Sequence, residues 1–127
     1  MKNSILYIED NPDNMRLIQR ALESRGYRLL QAKNGLTGLQ MAESQAVDLI
    51  LLDINLPDID GYEVARRLRA SSKRELSSTP IIAVTANALK GDAEKALEAG
   101  CDVYMSKPIN LRELWAQVAA FIPAPQE

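Results

Sequence analysis

The chain has 127 residues, of which 15 are lysine or arginine and 17 are aspartate or glutamate, and it contains no histidine. A single domain of this length buries a core without disulfides or structural metals, and the net charge of −2 disfavours nucleic acid as a partner. The lack of histidine excludes histidine-dependent catalysis and histidine-ligated metals. The single cysteine, Cys101, excludes an internal disulfide and favours a reducing, cytoplasmic location.

Short apolar segments alternate with longer amphipathic segments along the whole chain. The first apolar run, before Glu9, is too short for a signal peptide or a membrane span, so no membrane association is expected. The alternation predicts five strands, each followed by a helix. In chain order the predicted strands are Ile5–Ile8, Arg28–Ala32, Leu49–Leu52, Ile81–Val84 and Val103–Met105, and the predicted helices are about Pro12–Arg25, Leu36–Ser44, Tyr62–Ala70, Asp92–Ala99 and Leu111–Phe121.

Several helix ends carry recognisable capping residues. Asn11 before Pro12 is typical of an N-cap followed by the first helical position. Asn110 occupies the corresponding place before the last helix. Gly26 and Gly100 are expected to end helices in the left-handed conformation.

The two central strands indicate the fold class. Leu49–Leu52 and Ile81–Val84 are apolar without alternation, which is typical of parallel strands that are buried on both faces. Five such strand–helix units predict an α/β fold with a doubly wound, five-stranded parallel sheet and five flanking helices, of the flavodoxin-like type. We expect one domain over residues 1–122 and a short C-terminal tail over residues 123–127.

Polar residues follow most of the predicted strands. Glu9 and Asp10 follow the first strand, Asp53 the third, Thr85 the fourth and Lys107 the fifth. Ligands of open α/β sheets bind beyond the carboxyl ends of the strands. The sequence therefore predicts that three carboxylates, one hydroxyl and one ammonium group converge on one site.

This set of groups favours phosphoryl chemistry. Three clustered carboxylates repel one another unless a cation neutralises them, and Mg²⁺ does so with oxygen ligands. Asp53 is the candidate nucleophile, because a carboxylate can accept a phosphoryl group when its charge and position are controlled. Lys107 and Thr85 are candidates for contacting the same phosphoryl oxygens.

These residues resemble the signature of response-regulator receiver domains of two-component signalling. The resemblance extends from about Ser4 to Phe121 and is carried by Ile8–Asn11, Asp53–Gly61, Thr85–Ala88 and Lys107–Pro108, in the order of that family. One departure is Glu9, where many receivers have aspartate.

The resemblance implies roles for individual residues. Asp53 would accept a phosphoryl group from a phosphohistidine on a histidine kinase or a histidine phosphotransfer protein. Asp10 would bind Mg²⁺ directly and Glu9 mostly through water, and the backbone carbonyl of Asn55 would complete the protein ligands. Thr85 and Tyr104 would form the switch pair that reorients on phosphorylation.

The resemblance further implies that Lys107 contacts the phosphoryl group and that its peptide bond to Pro108 is cis. A downstream protein effector would bind the face formed by the fourth predicted helix, the fifth strand and the fifth predicted helix. Such a receiver would catalyse only its own phosphorylation and dephosphorylation. Since the chain ends soon after the last predicted helix, we expect output through protein contacts, with a free-standing regulator favoured over a receiver taken from a hybrid kinase.

Two alternatives remain open at this stage. A small phosphatase or phosphotransferase with an aspartate nucleophile would use the same carboxylates, although one common type needs an acid where this chain has Asn55. A degenerate receiver would bind partners without phosphorylation. Asn55 and Asn87 are candidates for tuning the lifetime of the phosphorylated form, whereas Trp115 and Cys101 are expected to pack in the interior.

Overall fold

The computed structural model of the chain describes residues 3–86 and 91–123. Within these residues, the strands and helices follow the predicted order, with one additional short helix. The elements are β1 (Ser4–Ile8), α1 (Pro12–Glu23), β2 (Arg28–Ala32), α2 (Gly35–Ser44), β3 (Leu49–Asp53), α3 (Gly61–Arg69), α4 (Arg74–Ser77), β4 (Ile81–Thr85), α5 (Asp92–Glu98), β5 (Val103–Ser106) and α6 (Leu111–Phe121).

The strands form one parallel sheet in the order β2-β1-β3-β4-β5. Every residue of β3 and β4 is buried, which confirms the prediction made from their unbroken apolar runs. One face of the sheet packs against α2, α3 and α5, and the other packs against α1 and α6. The predicted doubly wound α/β fold is therefore confirmed.

The helix ends follow the capping residues. Asn11 accepts hydrogen bonds from the backbone N–H groups of Asp13 and Asn14, at 2.9 and 3.0 Å, and Pro12 is the first helical residue. Gly26 and Gly100 have φ angles of 88° and 108°, as expected for residues that end helices in the left-handed region. Helix α1 ends at Glu23, two residues before the predicted end.

One element differs from the prediction of five helices. The short helix α4 adds a sixth in the described part of the chain, and it lies in the connection between α3 and β4. It is a single turn of four residues in which only Leu76 is buried. A single turn is too short to show the repeating apolar stripe from which helices are predicted.

Cys101 packs in the interior as predicted, whereas Trp115 packs at the margin of the core. Cys101 is 4% exposed and belongs to the core between the sheet and α3. Trp115 is half-buried, and its indole N–H donates a 2.9 Å hydrogen bond to the carbonyl of Ala21 on α1. Among the described residues, no helix combines the length and the apolar character that crossing a membrane requires.

Candidate functional site

Three carboxylates meet at the carboxyl ends of β1 and β3. These strands are neighbours in the sheet, and the strand order reverses between them, where open α/β sheets form a binding crevice. Glu9 and Asp53 are each 1% exposed, whereas Asp10 is exposed at the surface. One oxygen atom from each of the three carboxylates lies within 4.8 Å of the others. The predicted cluster of Glu9, Asp10 and Asp53 is therefore present in the fold.

Lys107 brings a positive charge to this cluster from the end of β5. Its Nζ lies 3.0 Å from Glu9 Oε1 and 3.3 Å from Asp53 Oδ2. The ammonium group thus bridges the two buried carboxylates. The peptide bond between Lys107 and Pro108 is cis.

The backbone after β3 orients the Asp53 carboxylate. The N–H of Asn55 donates a 3.0 Å hydrogen bond to Asp53 Oδ1, while Oδ2 is the oxygen next to Lys107. The N–H of Gly61 returns to the carbonyl of Ile54 at 3.1 Å and closes the connection between β3 and α3. The two oxygens of Asp53 therefore lie in different environments.

Within the described part of the chain, Glu9 has more hydrogen-bond donors around it than Asp53 has. Its Oε1 accepts from the buried Tyr7 hydroxyl at 2.9 Å, from Asn14 Nδ2 at 3.3 Å and from Lys107. Its Oε2 accepts from the backbone N–H of Asn11 at 3.3 Å. This number of donors explains how a carboxylate that is almost completely buried can stay ionised.

The electrostatics of the two buried carboxylates differ accordingly. Burial by itself would raise the pKa of Glu9, but hydrogen bonds with Asp53, Lys107 and Tyr7 outweigh burial and lower it. For Asp53, burial and then the hydrogen bond and charge of Glu9 raise the pKa. Burial would lower the pKa of Lys107, yet its contacts with both carboxylates raise it, so the ammonium group stays protonated.

Thr85 and Tyr104 occupy neighbouring strands on the β4–β5 side of the site. Thr85 is the last residue of β4 and is 2% exposed, one position beyond the pair formed by Val84 and Asp53. Tyr104 is half-buried on β5 and pairs in register with Ala83. Asn87 lies outside the described residues.

Residues 5–119 match the model of the response regulator receiver domain family. The chain belongs to this family. Receiver domains act in two-component signalling, so the predicted family and its general function are confirmed.

Individual relatives cover the receiver over almost its whole length. It is 39% identical to the polar-differentiation response regulator DivK of Brucella anthropi, over 96% of this chain and 98% of the relative. It is 40% identical to the receiver domain of the sensor histidine kinase PA1611 of Pseudomonas aeruginosa, with a TM-score of 0.87 over 98% and 100% of the two chains. That structure has a magnesium ion coordinated in its active-site cleft.

A third relative was solved together with a partner. The receiver domain of Ssk1 from Saccharomyces cerevisiae, in a co-crystal structure with the histidine phosphotransfer protein Ypd1, is 30% identical to this receiver. The TM-score is 0.86, over 94% of this chain and 88% of the other.

Two polar residues that contact the carboxylates of this receiver were not identified from the sequence. Tyr7 lies two residues before Glu9, and side chains two positions apart on a strand share one face, so their contact was foreseeable. Asn14 belongs to the first turn of α1, where the sequence pattern indicated only the N-cap residue.

A third residue outside the predicted set, Asp58, connects the loop between β3 and α3 to the start of α2. Both Asp58 oxygens accept hydrogen bonds from the first turn of α2, from the N–H groups of Gly35 and Leu36 at 2.8 and 2.9 Å. Since 23 residues separate Asp58 from Gly35, no local sequence signal predicts this contact.

Proposed function

We propose that Asp53 accepts a phosphoryl group from a phosphohistidine of a partner protein. The observation that carries the proposal is the pairing of the buried Asp53 carboxylate with Lys107 at 3.3 Å, inside a cluster that also contains Glu9 and Asp10. In this reaction an Asp53 oxygen forms a bond to phosphorus while the bond from phosphorus to the imidazole nitrogen breaks. The imidazole leaves with the bonding electron pair, and Asp53 neither gains nor loses a proton.

The carboxylate cluster suits a hard divalent cation. Its donors are all oxygens, and their negative charges exceed the single positive charge of Lys107. Asp10, Asp53 and the backbone carbonyl of Asn55 would hold Mg²⁺ directly, with Glu9 acting mostly through water. When bound, Mg²⁺ supplies positive charge that offsets the charge on the phosphoryl oxygens.

The protein groups supply position and charge for the transfer. The Asn55 N–H fixes Asp53 in one orientation, so little rotational freedom is lost when the donor arrives. Lys107 is already between Glu9 and Asp53, and we propose that it also contacts the transferred phosphoryl group. Thr85 would donate its hydroxyl hydrogen bond to a phosphoryl oxygen and, with Tyr104, form the switch pair.

We propose a histidine kinase or a histidine phosphotransfer protein as the phosphoryl donor. The Ssk1 receiver, solved with Ypd1, supports a donor of this kind. The effector surface would comprise α5, β5 and α6, because Tyr104 lies on β5 within it. The receiver would catalyse only its own phosphorylation and dephosphorylation, and the buried, unpaired Cys101 supports a cytoplasmic location.

Labelling with acetyl phosphate tests the acceptor. Asp53→Asn preserves the volume of the side chain and removes the attacking charge, so we expect labelling to be lost while the fold is retained. Asp13→Asn is the matched control, because Asp13 is an exposed aspartate on α1 and should leave labelling unchanged. Labelling of Asp53→Asn at the wild-type rate would contradict the assignment.

A second assay separates the receiver from an aspartate-nucleophile phosphatase. A receiver should incorporate about one phosphoryl group per chain and release phosphate slowly. Sustained turnover of an aryl phosphate, lost in Asp53→Asn, would instead indicate an enzyme. Effector binding that is equal for the wild type and Asp53→Asn, with or without phosphoryl donor, would indicate a degenerate receiver.

A further inference from the structure

The Glu9 carboxylate is held by donors from three elements. Tyr7 on β1, Asn14 on α1 and Lys107 after β5 all donate to Oε1, whereas the one donor to Oε2 among the residues that the structure describes is the Asn11 backbone, at 3.3 Å. A carboxylate oxygen has two lone pairs, so the three donors around Oε1 already exceed its lone pairs. This arrangement fixes one orientation of the carboxylate and leaves Oε2 as the less occupied oxygen.

The Tyr7 hydroxyl donates its hydrogen bond to Glu9. Tyr7 is fully buried, and a buried hydroxyl needs a hydrogen-bond partner. Its 2.9 Å contact with Glu9 Oε1 is the shortest of the four contacts that Glu9 accepts. Burial, followed by the charge of Glu9, raises the pKa of Tyr7 far above its usual value, so the hydroxyl keeps its proton and acts as a donor.

Asn14 donates to the same Glu9 oxygen from α1. Its backbone N–H is held by the Asn11 side chain at the start of α1, so Asn14 is anchored before its amide reaches Glu9. Both supporting side chains therefore extend from regular secondary structure and not from a loop. Groups placed in this way hold a second residue with little loss of their own freedom.

Glutamate needs such support more than aspartate does. Its side chain has one more rotatable bond, so more conformational freedom is lost when its carboxylate is fixed. Residues that orient metal ligands commonly change metal affinity when they are removed. We propose that Tyr7 and Asn14 are positioning residues that hold Glu9 for the Mg²⁺ site, an inference that rests on the proposed function of that site.

Calorimetric titration with Mg²⁺ of the full chain tests this inference. Tyr7→Phe removes one hydroxyl from the core and should weaken Mg²⁺ binding by about three- to tenfold. Tyr27→Phe is the matched control, since Tyr27 is also buried but donates to the Ile122 carbonyl, away from the carboxylates. Tyr27→Phe should bind Mg²⁺ as tightly as the wild type does. If Tyr7→Phe also binds Mg²⁺ as tightly as the wild type, or more tightly, the inference is overturned.

Two further variants separate positioning from packing. In the Glu9→Asp background the carboxylate is drawn back by about one C–C bond from the Tyr7 hydroxyl, so adding Tyr7→Phe should change Mg²⁺ affinity by less than about twofold. An equal loss in both backgrounds would show that Tyr7 acts through packing. Asn14 is half-buried on α1 and lies outside the apolar core. Asn14→Ala should therefore weaken Mg²⁺ binding by about two- to fivefold, and an unchanged affinity in this variant would show that Asn14 does not position Glu9.

The same titration distinguishes a failure of the positioning role from a failure of the metal site. If the wild type binds Mg²⁺ and Asp10→Asn weakens binding while Tyr7→Phe and Asn14→Ala do not, only the positioning role fails. If the wild type gives no Mg²⁺ binding, or if Asp10→Asn binds as tightly as the wild type, the proposed metal site itself fails.

Discussion

Glu9 and Asp53, the two buried carboxylates of the candidate site, depend on their neighbours. Burying an ionised carboxylate is costly unless hydrogen bonds or opposite charges replace the lost water. Among the described residues, Glu9 receives four such contacts, whereas Asp53 receives the Asn55 amide and shares Lys107 with Glu9. The carboxylate with fewer of these contacts is the one at which we propose that phosphoryl transfer occurs.

Removing one charge from the cluster should stabilise the protein when no metal is bound. Asp10 lies within 4.8 Å of two other carboxylates, so Asp10→Asn relieves repulsion. We expect the free energy of unfolding in a chelating buffer to rise by about 0.5–1 kcal/mol, the scale of one exposed charge pair in water. Urea denaturation measures this change.

The control for Asp10→Asn is again Asp13→Asn. Asp13 is an exposed acid in the first turn of α1, where the helix dipole favours negative charge, so its removal should lower stability slightly. Saturating Mg²⁺ should remove the advantage of Asp10→Asn over the wild type. If Asp10→Asn is less stable than the wild type in chelator, repulsion between the carboxylates does not govern stability at this position.

Cys101 provides a pH-dependent prediction at the same scale. Burial raises the pKa of its thiol to about 11, and only the thiolate reacts with alkylating agents. In the folded protein the rate of alkylation should therefore keep rising from about pH 8 to about pH 10, whereas in the unfolded chain it should level off above an ordinary thiol pKa. Mass spectrometry of iodoacetamide-treated protein measures both rates.

The raised pKa of Cys101 also makes the free energy of unfolding depend on pH. The pKa of Cys101 is raised in the folded state, so its contribution to stability is complete below the unfolded pKa of about 9. That contribution is lost as the pH rises from there towards the folded pKa. Cys101→Ala should show a smaller loss of stability over this alkaline range, and an identical pH dependence in both proteins would contradict the assignment.

At the scale of elements, the site depends on how tightly α3 approaches the end of β3. A Cβ atom at Gly61 would lie 2.5 Å from the Cα of Ile54, 2.8 Å from its carbonyl oxygen and 2.9 Å from that of Asp53. All three neighbours are backbone atoms, which cannot move aside as a flexible side chain can. The glycine therefore permits α3 to begin directly against the strand that ends in Asp53.

Gly61→Ala should shift the backbone that carries Asp53. We expect the free energy of unfolding to fall by about 2–3 kcal/mol, as in overpacked cores, together with slower labelling by acetyl phosphate. Gly91→Ala is the matched control, because no atom of the described residues lies within 4 Å of its Cβ position, and its left-handed φ of 100° is the strained feature. Gly91→Ala should lower the free energy of unfolding by about 1 kcal/mol. Equal losses in Gly61→Ala and Gly91→Ala would argue against close packing at Gly61 as the cause.

At the scale of the whole molecule, Arg69 joins segments at the amino ends of the strands, which is the end of the sheet opposite the site. Its guanidinium group donates to the carbonyls of Ser77, Thr79 and Gly100, at 3.1, 2.6 and 2.8 Å, and to Asp102 Oδ2 at 2.7 Å. These acceptors lie just before β4 and β5. One side chain thus connects α3 to the entries of two strands.

Arg69→Met should destabilise the fold without altering the site. Four charge-assisted contacts are lost and their acceptors are left without this donor, so we expect the free energy of unfolding to fall by about 2–4 kcal/mol. Mg²⁺ affinity of the folded protein should stay within about twofold of the wild type, since the residue lies at the opposite end of the sheet. Denaturation and metal titration measure the two quantities.

Arg67→Met provides the comparison for Arg69→Met. Arg67 is exposed, and its salt bridge to Glu63 joins residues of the same helix, so its loss should change stability by less than about 0.5 kcal/mol. Similar losses in the two variants would show that Arg69 contributes no more than a surface arginine does.

Much of the fold and of the candidate site could be predicted from the order of the residues. Strands buried on both faces are uniformly apolar, as Leu49–Leu52 shows, and a polar residue that ends such a strand must lie at the carboxyl edge of the sheet. This geometry brings Glu9 and Asp53 together whatever the loops do. The helix starts at Asn11 and Asn110 were predictable because capping bonds span only two or three residues.

Only the tertiary structure decided which atoms meet inside the site and which contacts join distant segments. The end of β5 predicted that Lys107 lies at the site, but its 3.0 Å contact with Glu9 spans 98 residues, and the contact of Arg69 with Gly100 spans 31, so no local pattern predicts either contact. Their contacts depend on how far each side chain extends and on the rotamer that the surrounding packing permits. Local spacing therefore determines strands, helix ends and the side on which polar residues emerge, whereas the charge balance of a buried cluster depends on atoms that meet only after the chain has folded.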